Sequence, residues 1–133
     1  MYSVKRDIHF SYGHRLWKHP GKCARLHGHN ACVQIEISSP GLNQQGMVID
    51  FEKIKETVGK WIQETFDHKM ILWKKDPLVP LLKKAGETLV LTEDPPTAEV
   101  LAKLIFEKAR QMRLEVSKVI FQETEDSSAS YHE

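Results

Sequence analysis

Two stretches of the sequence alternate apolar and polar residues, and each places histidine on its apolar side. In residues 27–38 the odd positions begin with His27 and His29 and continue with Ala, Val and Ile. In residues 2–17 the even positions are mostly apolar and include His14. Period-two alternation predicts strands with one buried face. If the two strands are antiparallel neighbours, His14, His27 and His29 come together on one wall of the fold.

Three converging histidines are a donor set that suits zinc. Zn²⁺ takes imidazole nitrogen readily, and catalytic zinc usually has three protein ligands and one open position. We therefore predict a Zn²⁺ cofactor. The spacing alone is also compatible with histidines that only form hydrogen bonds at a strand end. Cys23 lies four positions before His27, and a Pro-Gly turn at 20–21 carries it back toward the same wall. Cys32 lies on the opposite side of its strand and is predicted to be a small packing residue.

Length and charge restrict the class of protein. The 133 residues predict one domain covering 1–133, with enough chain for a core. Nineteen basic and 18 acidic residues give a net charge of +1 without a block of like charges, so no nucleic-acid partner is expected. No apolar run is long enough to cross a bilayer, and the N-terminus lacks a signal-peptide pattern, so no membrane partner is expected. Two cysteines do not make a disulfide framework, which favours a reducing, cytoplasmic location.

The remaining pattern predicts two helices and two more strands. Apolar residues at helical spacing predict a helix over 51–66 and a second one that begins after the N-cap Thr97. The β-rich stretch 116–124 and residues 128–132 predict a final pair of strands. The order strand, strand, helix, helix, strand, strand predicts an α+β fold, a four-stranded antiparallel sheet with two helices on one face. The connection 69–96 is irregular, with a short strand at 89–91.

Six short motifs occur in a fixed order over residues 10–124. They are Phe10-Ser11 with His14-Arg15-Leu16; Cys23 with His27-Gly28-His29-Asn30; Gly46-Met47-Val48-Ile49-Asp50-Phe51; Asp67-His68-Lys69; Pro96-Thr97-Ala98-Glu99; and Glu123-Thr124. Together they resemble the family of 6-pyruvoyl- and 6-carboxytetrahydropterin synthases. The resemblance implies the tunnelling fold, in which three subunits close a barrel and two trimers stack as a homohexamer. Closure of this kind removes the open edges of the predicted sheet.

The resemblance also implies roles for the site residues and a substrate, 7,8-dihydroneopterin triphosphate. It makes the three histidines the zinc ligands and Cys23 the catalytic thiol, with Asp67 and His68 completing a proton relay. It makes Glu123 the carboxylate that anchors the pterin ring, and Thr97 a helper at the ring. The residue pattern alone favours a plainer interpretation of Glu123, an exposed carboxylate at a strand edge. The active sites would lie between subunits.

Two products are compatible with this set of residues. One is 6-carboxytetrahydropterin, formed with release of acetaldehyde and triphosphate in queuosine (7-deazapurine) biosynthesis, and the other is 6-pyruvoyl-tetrahydropterin. Only three residues separate Cys23 from His27, a short gap that resembles the 6-carboxytetrahydropterin synthases, so we expect the carboxy product. A metal-binding module without turnover, with Cys23 bound to the metal, remains the other class of function. Lys22, Arg25 and Lys69 are candidates for contacting the triphosphate by their loop positions alone.

Overall fold

One curled sheet carries the fold in the computed structural model, which describes residues 1–133. Its strands are β1 (Tyr2–His14), β2 (His27–Ser39), β3 (Lys69–Trp73), β4 (Leu89–Thr92), β5 (Val116–Gln122) and β6 (Ser128–His132). They lie side by side in the order β4-β3-β1-β2-β5-β6. Within the set β1, β2, β5 and β6 each strand is antiparallel to its neighbour, as predicted, but β3 and β4 extend the predicted four-stranded sheet to six strands. The α+β class is confirmed.

Helices cover one face of this sheet. The bounds are α1 (Phe51–Ile54), a π-helical turn (Lys55–Gly59), α2 (Lys60–Phe66), α3 (Leu78–Lys84) and α4 (Ala98–Gln111), with a 3-10 turn at Lys22–Ala24. The first three segments run on continuously as the helix predicted over 51–66. The Asp50 side chain accepts the Glu52 N–H at its start, and Thr97 caps α4 in the same way. None of these helices has the length and apolar character needed to cross a membrane.

The connection between the helical regions is more ordered than its sequence indicates. Residues 69–96 form β3, α3 and β4, and both strands are parallel to their neighbours. β3 pairs with β1 only at Tyr12, Gly13 and His14. The predicted strand 2–17 is correspondingly shorter and ends at His14. There the chain leaves the sheet, and the Leu16 N–H donates to the Cys23 carbonyl across the returning loop.

The core lies between the sheet and the helices. β1 and β2 pair without interruption from Tyr2 opposite Ser39 to His14 opposite His27. The even residues of β1 and the odd residues of β2 therefore share one face. On that face, β1 is buried from Ile8 to His14 and β2 from Ala31 to Ile37. The helix packs closely against β1 at Gly59, where a Cβ atom would lie 3.0 Å from Ile8 Cδ1.

The opposite face of the same strands carries no helix and is polar. We call it the helix-free face and define it by the side chains that project from β1 and β2 away from the core. These are Ser3, Lys5, Asp7, His9, Ser11, Asn30, Cys32, Gln34 and Glu36. None of them is buried. The two faces of one strand pair therefore present different chemistry.

An ion pair holds the 69–96 connection to the end of β1. Arg15 Nε donates to Asp76 Oδ2 at 2.7 Å, and the Leu78 N–H donates to Asp76 Oδ1 at 2.8 Å. Asp76 is 2% exposed. Burial alone would raise the pKa of Asp76, but the hydrogen bonds from Arg15 and Leu78 and the Arg15 charge outweigh it, so this pKa is lowered. Asp76 is therefore ionised in the folded protein, and its charge is paired.

Removing this charge should destabilise the fold. Asp76→Asn leaves Arg15 without its partner, and we expect a loss of about 3 kcal/mol in the free energy of unfolding, measured by urea denaturation at neutral pH. The pKa of Asp76 is lower in the folded than in the unfolded protein. The stabilisation by ionised Asp76 is therefore complete above about pH 4, and it is lost as the pH falls through the pKa of Asp76 in the folded protein. The difference between wild type and variant should shrink in that acidic range.

A matched control is Glu64→Gln, which breaks the exposed Lys60–Glu64 pair. We expect that change to cost less than about 0.5 kcal/mol. Equal effects of the two substitutions would show that the Arg15–Asp76 pair does not anchor the connection.

Candidate active site

The three histidines predicted from strand alternation share one pocket at the end of β1 and β2. The register places His14 opposite His27 and Tyr12 opposite His29. The possible ligand nitrogens of the three imidazoles lie within 4.8 Å of one another. His14 is buried, and His27 and His29 are half-buried. The predicted convergence is confirmed.

Backbone carbonyls fix how two of these rings are turned. His14 Nδ1 lies 2.9 Å from the Pro96 carbonyl oxygen, and His27 Nδ1 lies 2.7 Å from that of Arg25. A carbonyl only accepts, so each Nδ1 carries the hydrogen and donates it. The Nε2 atom of each ring is left with a free lone pair. Hydrogen bonds of this kind orient histidines that bind metal ions.

Burial keeps the imidazoles of His14 and His29 neutral. It lowers the pKa of His14 to about 4, against a smaller raising effect of the Pro96 hydrogen bond. Burial also lowers the pKa of His29; the Glu123 charge raises it, and His27 lowers it further. At neutral pH both rings are therefore in the deprotonated form that binds a metal ion.

A carboxylate completes this wall. Glu123 Oε1 lies 3.4 Å from His14 Nε2 and 3.5 Å from His29 Nε2, and the Tyr12 hydroxyl donates to it at 3.2 Å. The interpretation of Glu123 as an exposed edge carboxylate is wrong, because its side chain is only 25% exposed and faces the histidines. The reason is its position two residues beyond buried Phe121, on the same side of the chain. Burial, followed by the charge of Glu123 and its hydrogen bond, raises the pKa of Tyr12, so the phenol remains a donor.

The residues present fit a metal ion. His29 Nε2 is buried and has no hydrogen-bond partner. With the hydrogens of His14 and His27 on Nδ1, the Nε2 lone pairs of these two rings face a common space with the Glu123 carboxylate. Acceptors that face each other repel unless a positive charge lies between them. Three imidazole nitrogens are a typical donor set for a divalent transition metal.

The histidines open into a cavity of about 600 Å³. Its lining comprises His14, Leu16, Lys22, Cys23, Arg25, His27, His29, Glu123, Thr124 and Ser127. A cavity of this volume lies in the usual range for small-molecule sites. Cys23 is a free, half-buried thiol on this lining. It lies outside the cluster of possible metal ligands that the three imidazoles form. The cavity therefore combines candidate metal ligands, a nucleophilic side chain and two cationic side chains.

Asp67 and His68 form a pair outside this cavity. His68 has a left-handed backbone, with φ of 58°, which lets adjacent side chains meet: His68 Nδ1 lies 2.9 Å from Asp67 Oδ2. Ser11 holds both residues, since its N–H donates to Asp67 Oδ1 and its carbonyl accepts the His68 N–H. The hydrogen bond from Ser11, and secondly that from His68, lowers the pKa of Asp67. The His68 side chain is 80% exposed, so an ionised carboxylate orients an imidazole that faces outward.

One chain thus brings together five of the eight predicted site residues: His14, Cys23, His27, His29 and Glu123. It does not bring Asp67, His68 or Thr97 to that cavity. The Thr97 hydroxyl accepts the Val100 N–H at the start of α4. The roles predicted for these three residues stay predictions.

Sequence reasoning missed two groups at the site. Tyr12 lies on the apolar side of β1, two residues before His14, so the alternation that identified His14 could have indicated it as well. The Pro96 carbonyl had no such signal, because a backbone acceptor carries no side-chain identity. It reaches His14 only through the folding of the 69–96 connection.

Comparisons with known proteins identify the same family of tetrahydropterin synthases over most of the chain. The sequence model of the 6-pyruvoyl tetrahydropterin synthase family matches residues 3–133. A Rickettsia conorii protein named 6-carboxy-5,6,7,8-tetrahydropterin synthase is 38% identical over 104 residues, covering 77% of this chain and 75% of that protein. The Aquifex aeolicus protein of the same name is 32% identical over 161 aligned positions, covering 99% of this chain and 98% of that protein.

Solved structures agree with the fold. The 6-pyruvoyl tetrahydropterin synthase of Caenorhabditis elegans superposes with a TM-score of 0.72 at 26% identity, covering 99% of this chain and 95% of that one. An uncharacterised protein of Wolinella succinogenes gives a TM-score of 0.79 at 26% identity, covering 98% and 97%. The fold is the tunnelling fold predicted from the sequence. Because the family model covers nearly the whole chain and the relatives are similar over most of it, this chain belongs to the 6-pyruvoyl tetrahydropterin synthase family.

Proposed function

We propose that this chain is a zinc-dependent 6-carboxytetrahydropterin synthase. It would convert 7,8-dihydroneopterin triphosphate and one water into 6-carboxy-5,6,7,8-tetrahydropterin, acetaldehyde and triphosphate, as a step of queuosine biosynthesis. The observation that carries the proposal is the convergence of three imidazoles, a carboxylate and a free thiol on one cavity. The names of the Rickettsia conorii and Aquifex aeolicus relatives support the choice of reaction.

The histidines are proposed to hold the metal. Zinc bound by His14, His27 and His29 would supply Lewis-acid polarisation of the hydroxyl groups on the substrate side chain. The contribution of this chain is to hold the imidazoles in place before binding. The Pro96 and Arg25 carbonyls fix the rings of His14 and His27, and burial keeps His14 neutral.

Glu123 is proposed to anchor the pterin ring by accepting its N–H and amino hydrogens. Such donors stabilise the charged form of a partly buried carboxylate. The Tyr12 hydroxyl, 3.2 Å from Glu123 Oε1, would hold that carboxylate in position. Thr97 is proposed as a helper at the ring, since it follows Pro96, whose carbonyl contacts His14.

Cys23 is proposed to be the base that moves a proton on the substrate side chain. Cationic neighbours favour the thiolate of a cysteine, and Lys22 and Arg25 line the same cavity. These two side chains are also suited to contact the triphosphate, together with Lys69 beside His68. Asp67 would orient His68 as a carboxylate orients a base histidine in other proton relays.

The relay is proposed to assemble between subunits of a homohexamer. His68 faces outward and lies outside the cavity of its own chain, so a neighbouring subunit could receive it beside Cys23. Two strand edges support such an assembly. β6 ends the sheet, and the part of β1 before Tyr12 has no strand partner on its outer side. Unpaired edges favour pairing with another chain.

A reducing, cytoplasmic location belongs to the same proposal and accords with two free cysteines.

Loss of one histidine should remove the metal. We expect His27→Ala to hold one zinc ion fewer per chain than wild type, because three imidazoles are needed for tight binding at this wall. Elemental analysis of the purified protein measures this. His19→Ala, in the exposed loop, is the matched control and should keep the wild-type zinc content. Undiminished zinc in His27→Ala would contradict the ligand assignment.

Loss of the cavity thiol should separate catalysis from metal binding. Cys23→Ala should retain its zinc and its circular dichroism spectrum, while turnover falls about 100-fold or more, the usual range for a general base. Cys32→Ala, on the other face of the sheet, should keep its turnover. If Cys23→Ala lost zinc instead, the thiol would be a ligand, and the alternative of a closed metal-binding module without turnover would be favoured.

The product decides between the two synthase reactions. Incubation with 7,8-dihydroneopterin triphosphate should release acetaldehyde and triphosphate in equal amounts, measured by a coupled aldehyde assay and by phosphorus NMR. The short gap between Cys23 and His27 supports this expectation, since a shift of the thiolate by about 1 Å is enough to change reactivity. Triphosphate that accumulates without acetaldehyde would identify the chain as a 6-pyruvoyl-tetrahydropterin synthase.

A further inference from the structure

We propose that the helix-free face carries a second site for a divalent transition metal, formed by Asp7, His9 and Cys32. One possible ligand atom from each of these side chains lies within 4.8 Å of the others. The site shares no residue with the histidine cavity and does not depend on the proposed function. Cys32 was expected to be a packing residue, but it is half-buried on the polar face and contributes nothing to the hydrophobic core.

The strand register brings the three side chains together. His9 lies directly opposite Cys32 in the β1–β2 ladder, where facing Cβ atoms are about 4.5–5.5 Å apart. Asp7 precedes His9 by two residues and projects from the same face. The carboxylate therefore reaches the His9–Cys32 pair from one side, along the strand. No loop or helix end is involved.

The backbone that carries these residues is held rigidly. The ladder has no bulge between Tyr2 and His14, and the adjacent residues Ile8, Phe10 and Val33 are buried in the core on the opposite side. Side chains on regular strands are held more accurately than those on loops. Binding would therefore need only small rotations of exposed or half-buried side chains, and the ordering cost would be low.

The donor set selects the class of ion. One carboxylate oxygen, one imidazole nitrogen and one thiolate sulfur suit Zn²⁺ and similar borderline ions, whereas Mg²⁺ and Ca²⁺ prefer oxygen throughout. Three protein ligands leave one position of a tetrahedral ion for water. The thiolate also separates this site from the cavity, where the group of metal-ligating atoms is imidazole alone.

Cobalt(II) distinguishes the two sites, because a thiolate ligand gives it a strong charge-transfer absorption that imidazole and oxygen ligands do not. We would strip the full-length protein of metal and titrate it with Co²⁺ under anaerobic conditions. The expected result is two equivalents per chain, of which one produces the thiolate band. Cys32→Ser should lose that band and one equivalent, whereas Cys23→Ser, the matched thiol control, should retain both.

Two further variants make the result independent of folding defects. His9→Gln should lower the Co²⁺ affinity of this site, measured from the thiolate band, at least tenfold. Its circular dichroism spectrum should be unchanged. His27→Ala should remove the other equivalent and leave the band. A thiolate band that disappears in Cys23→Ser and persists in Cys32→Ser would overturn the proposal, as would a wild-type titration that ends at one equivalent without the band.

Discussion

The pairing of β1 with β2 is the constraint on which the rest of the structure depends. Thirteen consecutive residues of each strand are paired, from Tyr2 with Ser39 to His14 with His27. This ladder fixes which side chains enter the core, which ones meet at its end, and which face remains polar. The helices pack on one side of it, and the 69–96 connection attaches to its end through β3 and the Arg15–Asp76 pair.

At the end of the ladder, polar groups of the isolated chain repel one another. Buried imidazole lone pairs face one another and a carboxylate, and His29 Nε2 has no partner. A folded protein retains such an arrangement when it serves something other than stability. The carbonyls of Pro96 and Arg25 and the hydroxyl of Tyr12 stabilise it from outside. This ring of supporting contacts comes from three separate parts of the sequence.

Much of this could be predicted from the sequence, because the informative patterns were local. Period-two alternation was sufficient for the strands and for the meeting of His14, His27 and His29, and capping residues marked both main helices. The strands β3 and β4 were not predicted in full, since short parallel strands are apolar runs without alternation. The environment of Glu123 was misjudged, although counting in twos from Phe121 would have turned it inward. The link from Pro96 to His14 depends on tertiary contacts that no local pattern encodes.

The uninterrupted ladder also bears on how the chain finds its own pairing. A slip of one residue between β1 and β2 would turn every side chain of one strand to the other face. His27 and His29 would then leave His14, and polar residues such as Gln34 would enter the core. A cation held by the three imidazoles can therefore stabilise only the native alignment. During folding such an ion would favour the native register of β1 and β2 over slipped registers, independently of any later binding of substrate.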